Sequence, residues 1–288
     1  MSATASPLRT GYAYAAATVM IWAGFVLLSR MAGKSALNGS DIVALRFATA
    51  AVLLLPFWLF KWRVSLLNPR LILLALTGGV GYTLLAYWAF RFAPAAHGAV
   101  LLSGVLPFFV AAVAWIILRE PPRARLLHAL VAIAAGVGCL ALHSLHGLAQ
   151  SWPGDLMLVG ASILWAVYTV LVRRWGFAPV ETTIGVTLLS ALFFLPIYAW
   201  LLPKGIMAAP LSVIVTQAVY QGVFVAIVAM VLYMQALSRL GPLRLGTAMA
   251  TVPAIAGTGA TLILGEPFSL WLLAGLVLTS IGAWLGTR

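Results

Sequence analysis

Residues 101–121 read LLSGVLPFFVAAVAWIILREP, and the first 18 of them carry no charge. A helix needs about 20 apolar residues to cross a hydrocarbon core of about 30 Å. Uncharged runs of this kind recur along the chain, so that 64% of its 288 residues are hydrophobic and only 8% are charged, with a mean hydropathy of +1.09. No soluble globular domain needs such a composition. The sequence therefore predicts an integral membrane protein.

Ten apolar segments lie between short clusters of charged residues, proline and glycine. Helices and closed barrels satisfy backbone hydrogen bonds in lipid, and these segments lack the alternation of barrel strands. We therefore expect an all-α integral membrane protein with ten transmembrane helices. Their predicted bounds are residues 11–30, 41–60, 70–91, 95–118, 126–143, 154–173, 181–202, 212–238, 242–264 and 269–286.

The basic residues indicate how these helices are oriented. Lysine and arginine number 17 against 5 acidic residues, and 12 of the 17 fall on the side that holds both termini. Four fall on the other side, and Arg46 lies within a span. Because basic loops stay on the cytoplasmic side, we expect a multi-pass protein of the cell inner (plasma) membrane with both termini cytoplasmic. Basic residues at helix ends, rather than on one face, argue against a nucleic-acid partner.

The second half of the chain repeats landmarks of the first. At an offset of 146 the matched pairs are Tyr87 with Tyr233, Pro107 with Pro253, Glu120-Pro121 with Glu266-Pro267, and Gly136 with Gly282. At offsets of 143 and 140 they are Gly11 with Gly154, Trp22-Ala23 with Trp165-Ala166, Arg30 with Arg173, Asp41 with Glu181, and Leu55-Pro56 with Leu195-Pro196. Matches at a constant offset without a gap indicate a duplicated five-helix unit.

An odd number of helices in each copy reverses the orientation of the second copy. We therefore expect a first five-helix repeat at residues 1–145 and a second, inverted five-helix repeat at residues 146–288, related by a pseudo-two-fold axis in the membrane plane. A site between two such halves can open first to one side and then to the other. This symmetry predicts alternating access.

Short motifs at matched places carry a family resemblance. They are Trp22-Ala23-Gly24, Trp165-Ala166-Val167, Pro107 followed by Arg119-Glu120-Pro121, and Pro253 followed by Gly265-Glu266-Pro267. With these motifs the whole chain resembles the EamA-type transporters of the drug/metabolite transporter superfamily. Its length and aromatic richness also resemble the aromatic amino-acid exporters of that superfamily.

The resemblance implies a function and a route. It implies export of amino acids, aromatic and other neutral ones, or of related small metabolites from the cytoplasm. The route would be a central cavity lined by helices 1, 3, 4, 6, 8 and 9. The first half departs from the family pattern, because Arg119 stands where the second half has Gly265. A channel-like or multidrug efflux protein for small organic solutes is the alternative.

Matched aromatic pairs are the first candidates for a substrate site. Trp22 and Phe25 in the first helix correspond to Trp165 and Tyr168 in the sixth, and a spacing of three residues places each pair on one helical face. Paired aromatic rings near mid-membrane suit a flat or apolar side chain. Ordinary helix packing is the alternative interpretation.

Two prolines at matched positions are candidates for hinges or gates. Pro107 and Pro253 each lie near the middle of a predicted span. A proline leaves the carbonyl four residues earlier without its donor, here that of Ser103 or Met249. Such carbonyls would bind an ammonium group or a water, or neighbouring side chains would simply satisfy a kink.

Polar side chains within the spans complete the predicted cavity. Gln217 and Gln221 form a stripe on the eighth helix, where they would bind a zwitterionic substrate or hold helices together. For His97, near a helix end, carboxylate binding and interfacial solvation both remain open. The other predicted substrate-binding residues are Tyr82 and Tyr87 on the third helix, Ser103 on the fourth, and Thr247 and Thr251 on the ninth.

Three charged residues need their own interpretation. Arg46 has Val186 at the matching position, and we expect its side chain to extend to the outer membrane interface, because it is five residues from Asp41. Glu120 and Glu266 follow helix C-termini, where the helix dipole disfavours a negative charge. We expect a structural or gating role for both glutamates.

Other function classes fit the sequence poorly. An intramembrane enzyme needs a catalytic set at depth, and no two acidic residues lie deep in the spans. A retinal-type receptor needs a lysine within a helix, whereas all three lysines lie in loops. We therefore expect that the protein is not an enzyme and that it binds no cofactor or metal. The expected partners are a small-molecule substrate and membrane lipid, with the chain as a monomer or weak homodimer.

Overall fold

The structure is a computed structural model that describes residues 7–32, 36–89, 92–93, 98–119, 121, 124–143, 148–264 and 269–287. Within these residues the chain is helical and contains no strand. The helices are α1 (Pro7–Ala32), α2 (Gly39–Phe60), α3 (Pro69–Ala89), α4 (Val100–Leu118), α5 (Ala124–His143), α6 (Leu148–Trp175), α7 (Pro179–Leu201), α8 (Leu211–Met249), α9 (Val252–Leu264) and α10 (Leu270–Thr287). A short 3-10 turn, Ile206–Ala208, lies between α7 and α8.

Seven helices of the described chain are long and apolar enough to cross a membrane: α1 to α4 and α6 to α8. Three further apolar helices are shorter, at Leu126–Cys139, Val252–Ile263 and Leu273–Gly282. The all-α membrane fold is therefore confirmed, and the count of ten spans stays a prediction. Large apolar side chains lie on the outside of the bundle, among them Ile116 and Leu262, as expected for a surface that contacts lipid.

Helix α2 begins at a capping box that also connects the two halves of the sequence. The side chain of Asn38 accepts a hydrogen bond from the backbone N–H of Asp41, whose carboxylate accepts one from the N–H of Asn38 at 2.9 Å. The same carboxylate accepts from the Gly205 N–H at 3.0 Å and from the Tyr198 hydroxyl at 2.7 Å. Asp41 is fully buried, so these donors compensate the loss of water around its charge.

A glycine breaks the longest helix. At 1.5 Å per residue, the 39 residues of α8 would extend about 60 Å, twice the thickness of the hydrocarbon core. Gly241 has φ 77° and ψ 168°, a conformation that glycine adopts readily, and Pro242 follows it. The chain changes direction there, near the predicted boundary between the eighth and ninth spans.

Both predicted hinge prolines lie just after a helix break. A π-helical turn, Ala99–Gly104, ends before Pro107, which lies in the first turn of the following helical segment. Pro253 likewise lies in the first turn of α9, after a turn at residues 250–251. Near the first break, the Ser162 hydroxyl donates to the carbonyl oxygen of Leu102 at 3.3 Å. A neighbouring side chain thus satisfies a carbonyl at this break, while the hinge role of both prolines stays a prediction.

Most of the strongest helix contacts recur when each helix is exchanged with the one five places along the chain. Helix α1 packs on α8 as α3 packs on α6, and α1 contacts α9 as α4 contacts α6. Helix α2 packs on α8 as α7 packs on α3. The exchange maps the α2–α7 pair onto itself, and likewise the α5–α10 pair. This pattern is what a two-fold relation between the halves requires.

The α5–α10 contact has the same symmetry at the level of single residues. A Cβ added to Gly136 would lie 2.7 Å from Thr279 Cγ2, and one added to Gly282 would lie 2.6 Å from Ile133 Cγ1. Gly136 and Gly282 are separated by the repeat offset of 146, and so are Ile133 and Thr279. Glycines let these two helices approach closely, so Gly282 packs inside the bundle.

Candidate functional site: an aromatic cavity with one arginine

A cavity lies among helices of both halves of the chain. It encloses about 700 Å³ of empty space, its open mouth included. Helices α1, α2, α3, α4, α6 and α8, with Gly98 just before α4, supply its described lining. The lining residues are Trp22, Phe25, Val26, Arg46, Tyr82, Gly98, Leu102, Ser103, Leu106, Trp165 and Val225. Five predicted site residues therefore meet here: Trp22, Phe25, Tyr82, Ser103 and Trp165.

Trp165 is the centre of an aromatic cluster beside the cavity. Its ring centroid lies 5.4 Å from that of Trp22, 4.8 Å from that of Tyr82 and 5.2 Å from that of Tyr168. Tyr233 completes the cluster at 5.5 Å and stacks on Trp22 at 5.2 Å. These separations are typical of favourable aromatic pairs. One wall of the cavity is therefore rigid, apolar and aromatic.

A short hydrogen-bond chain fixes the orientation of the Trp165 ring. The Thr169 hydroxyl donates to the Trp165 carbonyl oxygen at 2.8 Å, so its oxygen is free to accept. The Tyr233 hydroxyl, 2.6 Å away, donates to it and accepts the Trp165 indole N–H at 3.2 Å. Each polar atom of this chain has a partner, so only the faces of the indole are left for a solute.

The predicted position of Arg46 is wrong. Its side chain is 6% exposed and lines the cavity instead of reaching the membrane interface. Five residues along a helix correspond to about 140° of rotation, so Arg46 and Asp41 occupy different faces of α2. Nearness to the helix start therefore did not place this side chain at the interface.

The glutamine stripe forms an internal chain of hydrogen bonds rather than a part of the described lining. The Tyr87 hydroxyl donates to Gln221 Oε1 at 3.2 Å, and Gln221 Nε2 donates to Gln217 Oε1 at 3.3 Å. Gln217 Nε2 in turn donates to the Leu28 carbonyl oxygen at 3.4 Å. Both glutamines are buried. These bonds join α1, α3 and α8, as the helix-packing interpretation of the stripe requires.

The remaining described candidates do not belong to the described lining; Thr247 and Tyr168 are buried and Thr251 is half-buried. Thr247 and Thr251 donate to carbonyl oxygens of their own chain segment, each at 2.8 Å. Tyr168 is buried behind Trp165, where its ring contacts the backbone at Gly78 so closely that no Cβ fits there. The other predictions, His97, Glu120 and Glu266, fall outside the described residues.

Sequence reasoning did not assign a site role to Tyr233, although it is matched to Tyr87 in the repeat. A symmetric reading of the two halves would have placed both tyrosines near the centre. Val225 and Leu106 also line the cavity, but no sequence feature identifies them, because apolar residues in an apolar span do not show which helix face is internal.

A known protein family matches the chain twice, once in each half. The EamA-like transporter family matches residues 9–142 and again residues 152–288. The chain belongs to the EamA-like transporter family. It is therefore a multi-pass membrane protein of a transporter family, as its composition and helices predict.

Two curated relatives place this EamA-like chain among transporters. The "Threonine/homoserine exporter RhtA" of Escherichia coli (strain K12) is 32% identical over 150 residues, which cover 47% of this chain and 46% of the exporter. The match thus spans about half the length of RhtA. An "Uncharacterized transporter" of Clostridium kluyveri is 23% identical over 294 residues, covering 96% of this chain and 92% of the relative.

A solved crystal structure has the same fold as this EamA-like chain. The two align with a TM-score of 0.75 over 99% of this chain and 98% of the other, at 20% sequence identity. At that identity the likeness concerns the fold alone.

Proposed function

We propose that this protein exports neutral amino acids, aromatic ones included, or related small metabolites from the cytoplasm by alternating access through the cavity. The observation that carries the proposal is the composition of the lining, which joins α1 to α4 with α6 and α8. A site made of both halves changes its access when the halves tilt against each other. The resemblance to an exporter over half its length supports the same direction of transport.

We also propose that residues 1–145 and 146–288 form two five-helix repeats. Each helix crosses the membrane, and the two repeats have opposite orientations in it. The exchange of packing partners between the halves supports a two-fold relation. The reciprocal contacts of Gly136 and Gly282 support it at atomic detail. With five spans in each repeat, the axis of that relation lies in the membrane plane.

The proposed location is the inner (plasma) membrane with both termini cytoplasmic. The distribution of basic residues, 12 on the side of the termini and four on the other, supports this orientation. It places the α1–α2 and α7–α8 loops on the outer face and the α2–α3 and α6–α7 loops on the cytoplasmic face.

The chemistry of the lining supports a substrate with an apolar or aromatic part. Trp22, Phe25, Tyr82 and Trp165 present ring surfaces to the cavity, and Ser103 adds a hydroxyl. Rings of this kind bind flat apolar groups through stacking and burial of area. Phenylalanine, methionine and threonine are therefore suitable probes of size and polarity.

Transport by the purified full chain in proteoliposomes tests this function. We expect labelled phenylalanine, methionine or threonine to cross the bilayer faster than in protein-free liposomes, and unlabelled substrate on the far side to accelerate exchange, as a carrier requires. Flux of none of the three above the protein-free rate would contradict the proposal. Flux that also includes inorganic ions at channel rates would favour the channel alternative.

The same assay with an imposed pH gradient addresses energy coupling. Among the described residues, the one acidic side chain buried inside the bundle is Asp41, which already has three hydrogen-bond donors. Proton relays in transporters use acidic residues or histidine at depth. We therefore expect the flux to be unchanged by the gradient, whereas a strict requirement for it would contradict facilitated transport and favour the alternative, coupling through His97.

A further inference from the structure

We infer that Arg46 binds a carboxylate of the transported solute, so that the substrates of this protein are small apolar or aromatic compounds with a free carboxylate. This inference rests on the proposed function and assigns the substrate class of the same cavity. It begins from one side chain, which is charged, buried and directed into the cavity.

The Arg46 guanidinium has no carboxylate partner within the described part of the chain, although it forms a hydrogen bond with the side chain of Tyr87. Its Nε is buried without a hydrogen-bond partner. The Phe47 ring lies 6.0 Å from the guanidinium carbon to the centroid, a distance at which a cation–π attraction is weak. An arginine cannot lose its proton to relieve the cost of burial. No acidic side chain of the described residues therefore neutralises this buried positive charge.

Asp41 does not neutralise this charge, although it lies on the same helix. Its carboxylate accepts from two backbone N–H groups, of Asn38 and Gly205, and from the Tyr198 hydroxyl. Those bonds occupy both of its oxygens at the start of α2. An isolated charge at depth in a membrane protein marks a functional site unless a partner is present.

The groups around Arg46 suit an anion with an apolar tail. Tyr82 lines the same cavity and its hydroxyl interacts electrostatically with Arg46. A guanidinium binds a carboxylate through two parallel N–H···O bonds, and burial strengthens such pairs. The rings of Trp22 and Trp165 would then contact the apolar remainder of the solute. In the described lining no carboxylate is present to bind an ammonium group, so the carboxylate is the required group and the amine is not.

Three matched compounds separate these requirements. Phenylalanine carries both charged groups, 3-phenylpropionate carries only the carboxylate, and phenethylamine carries only the amine. We measure their inhibition of labelled phenylalanine flux in proteoliposomes, and their effect on the thermal stability of the purified full chain in detergent. We expect the first two compounds to inhibit and to stabilise the wild-type protein, and phenethylamine to do neither.

Substitutions of Arg46 test its role. Arg46→Gln should weaken inhibition by 3-phenylpropionate at least about thirtyfold, the low end of the effect of losing one member of a buried charge pair. For Arg46→Lys, inhibition by 3-phenylpropionate should be weaker than in wild type and stronger than in Arg46→Gln, because lysine keeps the charge and loses the two-pronged geometry. The control is Arg63→Gln, an exposed arginine just beyond the same helix whose Nε donates to the Leu59 carbonyl oxygen. It should behave as wild type.

Thermal stability without ligand distinguishes binding from a structural role. Removal of a buried charge that has no carboxylate partner is not expected to lower stability, and glutamine can still hydrogen-bond Tyr87, so Arg46→Gln should unfold at the wild-type temperature or above. A lower unfolding temperature, or wild-type affinity for 3-phenylpropionate, would overturn the inference. So would inhibition by phenethylamine equal to that by 3-phenylpropionate.

The two proposals can fail separately. If no flux occurs but 3-phenylpropionate stabilises the wild-type protein and not Arg46→Gln, the carboxylate site stands and the transport function fails. If flux occurs and is unaffected by substitution of Arg46, the transport function stands and the carboxylate site fails.

Discussion

Replacing Trp165 with alanine is expected to reduce transport at least about tenfold, because this ring makes four aromatic contacts that are each worth about 0.5–1.5 kcal/mol. The substitution removes one wall of the cavity and leaves the Tyr233 hydroxyl without its indole donor. The change is measured as initial flux of labelled phenylalanine, at equal amounts of protein in the liposomes. Trp165→Phe keeps a ring and should retain more activity than Trp165→Ala.

The matched control is Trp152→Ala, on the same helix. Trp152 is 63% exposed on the outside of the bundle, whereas Trp165 is 3% exposed. Loss of Trp152 should leave flux within about twofold of wild type, since an exposed side chain away from the site makes few contacts. Equal flux for Trp165→Ala and wild type would remove Trp165 from the transport pathway.

Replacing Gly136 with leucine is expected to give the largest loss of stability. A Cβ at this position would lie 2.7 Å from Thr279 Cγ2 and 2.8 Å from the Thr279 backbone nitrogen, and backbone cannot move aside as a side-chain end does. Overpacking typically costs about 1–3 kcal/mol, and here α5 and α10 must separate. The measurement is the unfolding temperature of the detergent-solubilised protein.

Gly138 provides a matched control two residues further along α5. A Cβ added there would meet no atom within 4 Å, so Gly138→Leu changes the same helix by the same side chain without a clash. Glycine is a poor helix former, and this control should therefore unfold at or above the wild-type temperature. Similar unfolding temperatures for both variants would show that the α5–α10 contact is not closely packed.

The sequence was most informative where the two halves repeat each other. The repeat selected Trp22 and Trp165 as a pair, and the structure brings their rings together. The helical membrane fold followed from apolar runs whose length is set by the bilayer. Ser103 and Tyr82 reach the cavity as predicted, because a polar group within an apolar span usually faces the interior.

The sequence was least informative where neighbours come from distant parts of the chain. Arg46 has no equivalent in the second half, and its position was inferred from its distance to the helix start instead of from its face. Gln221 was predicted either to bind substrate or to hold helices together, and nothing in the sequence identified its partner Tyr87, 134 residues earlier. Single-sequence patterns do not specify such partners, because helix faces become internal only when other helices pack on them.

Accessibility of single cysteines in membranes of known orientation tests the inverted arrangement most directly. In a background where Cys139, the sole cysteine, is replaced by alanine, an exposed residue in each of four loops is changed to cysteine: Ala36, Ser65, Ala178 and Ala208. The first and third lie in equivalent loops of the two halves, and so do the second and fourth. A membrane-impermeant thiol reagent should label Ala36→Cys and Ala208→Cys from the outer face, and Ser65→Cys and Ala178→Cys from the cytoplasmic face. Labelling of Ala36→Cys and Ala178→Cys from the same face would contradict the inverted arrangement and the alternating-access cavity that depends on it.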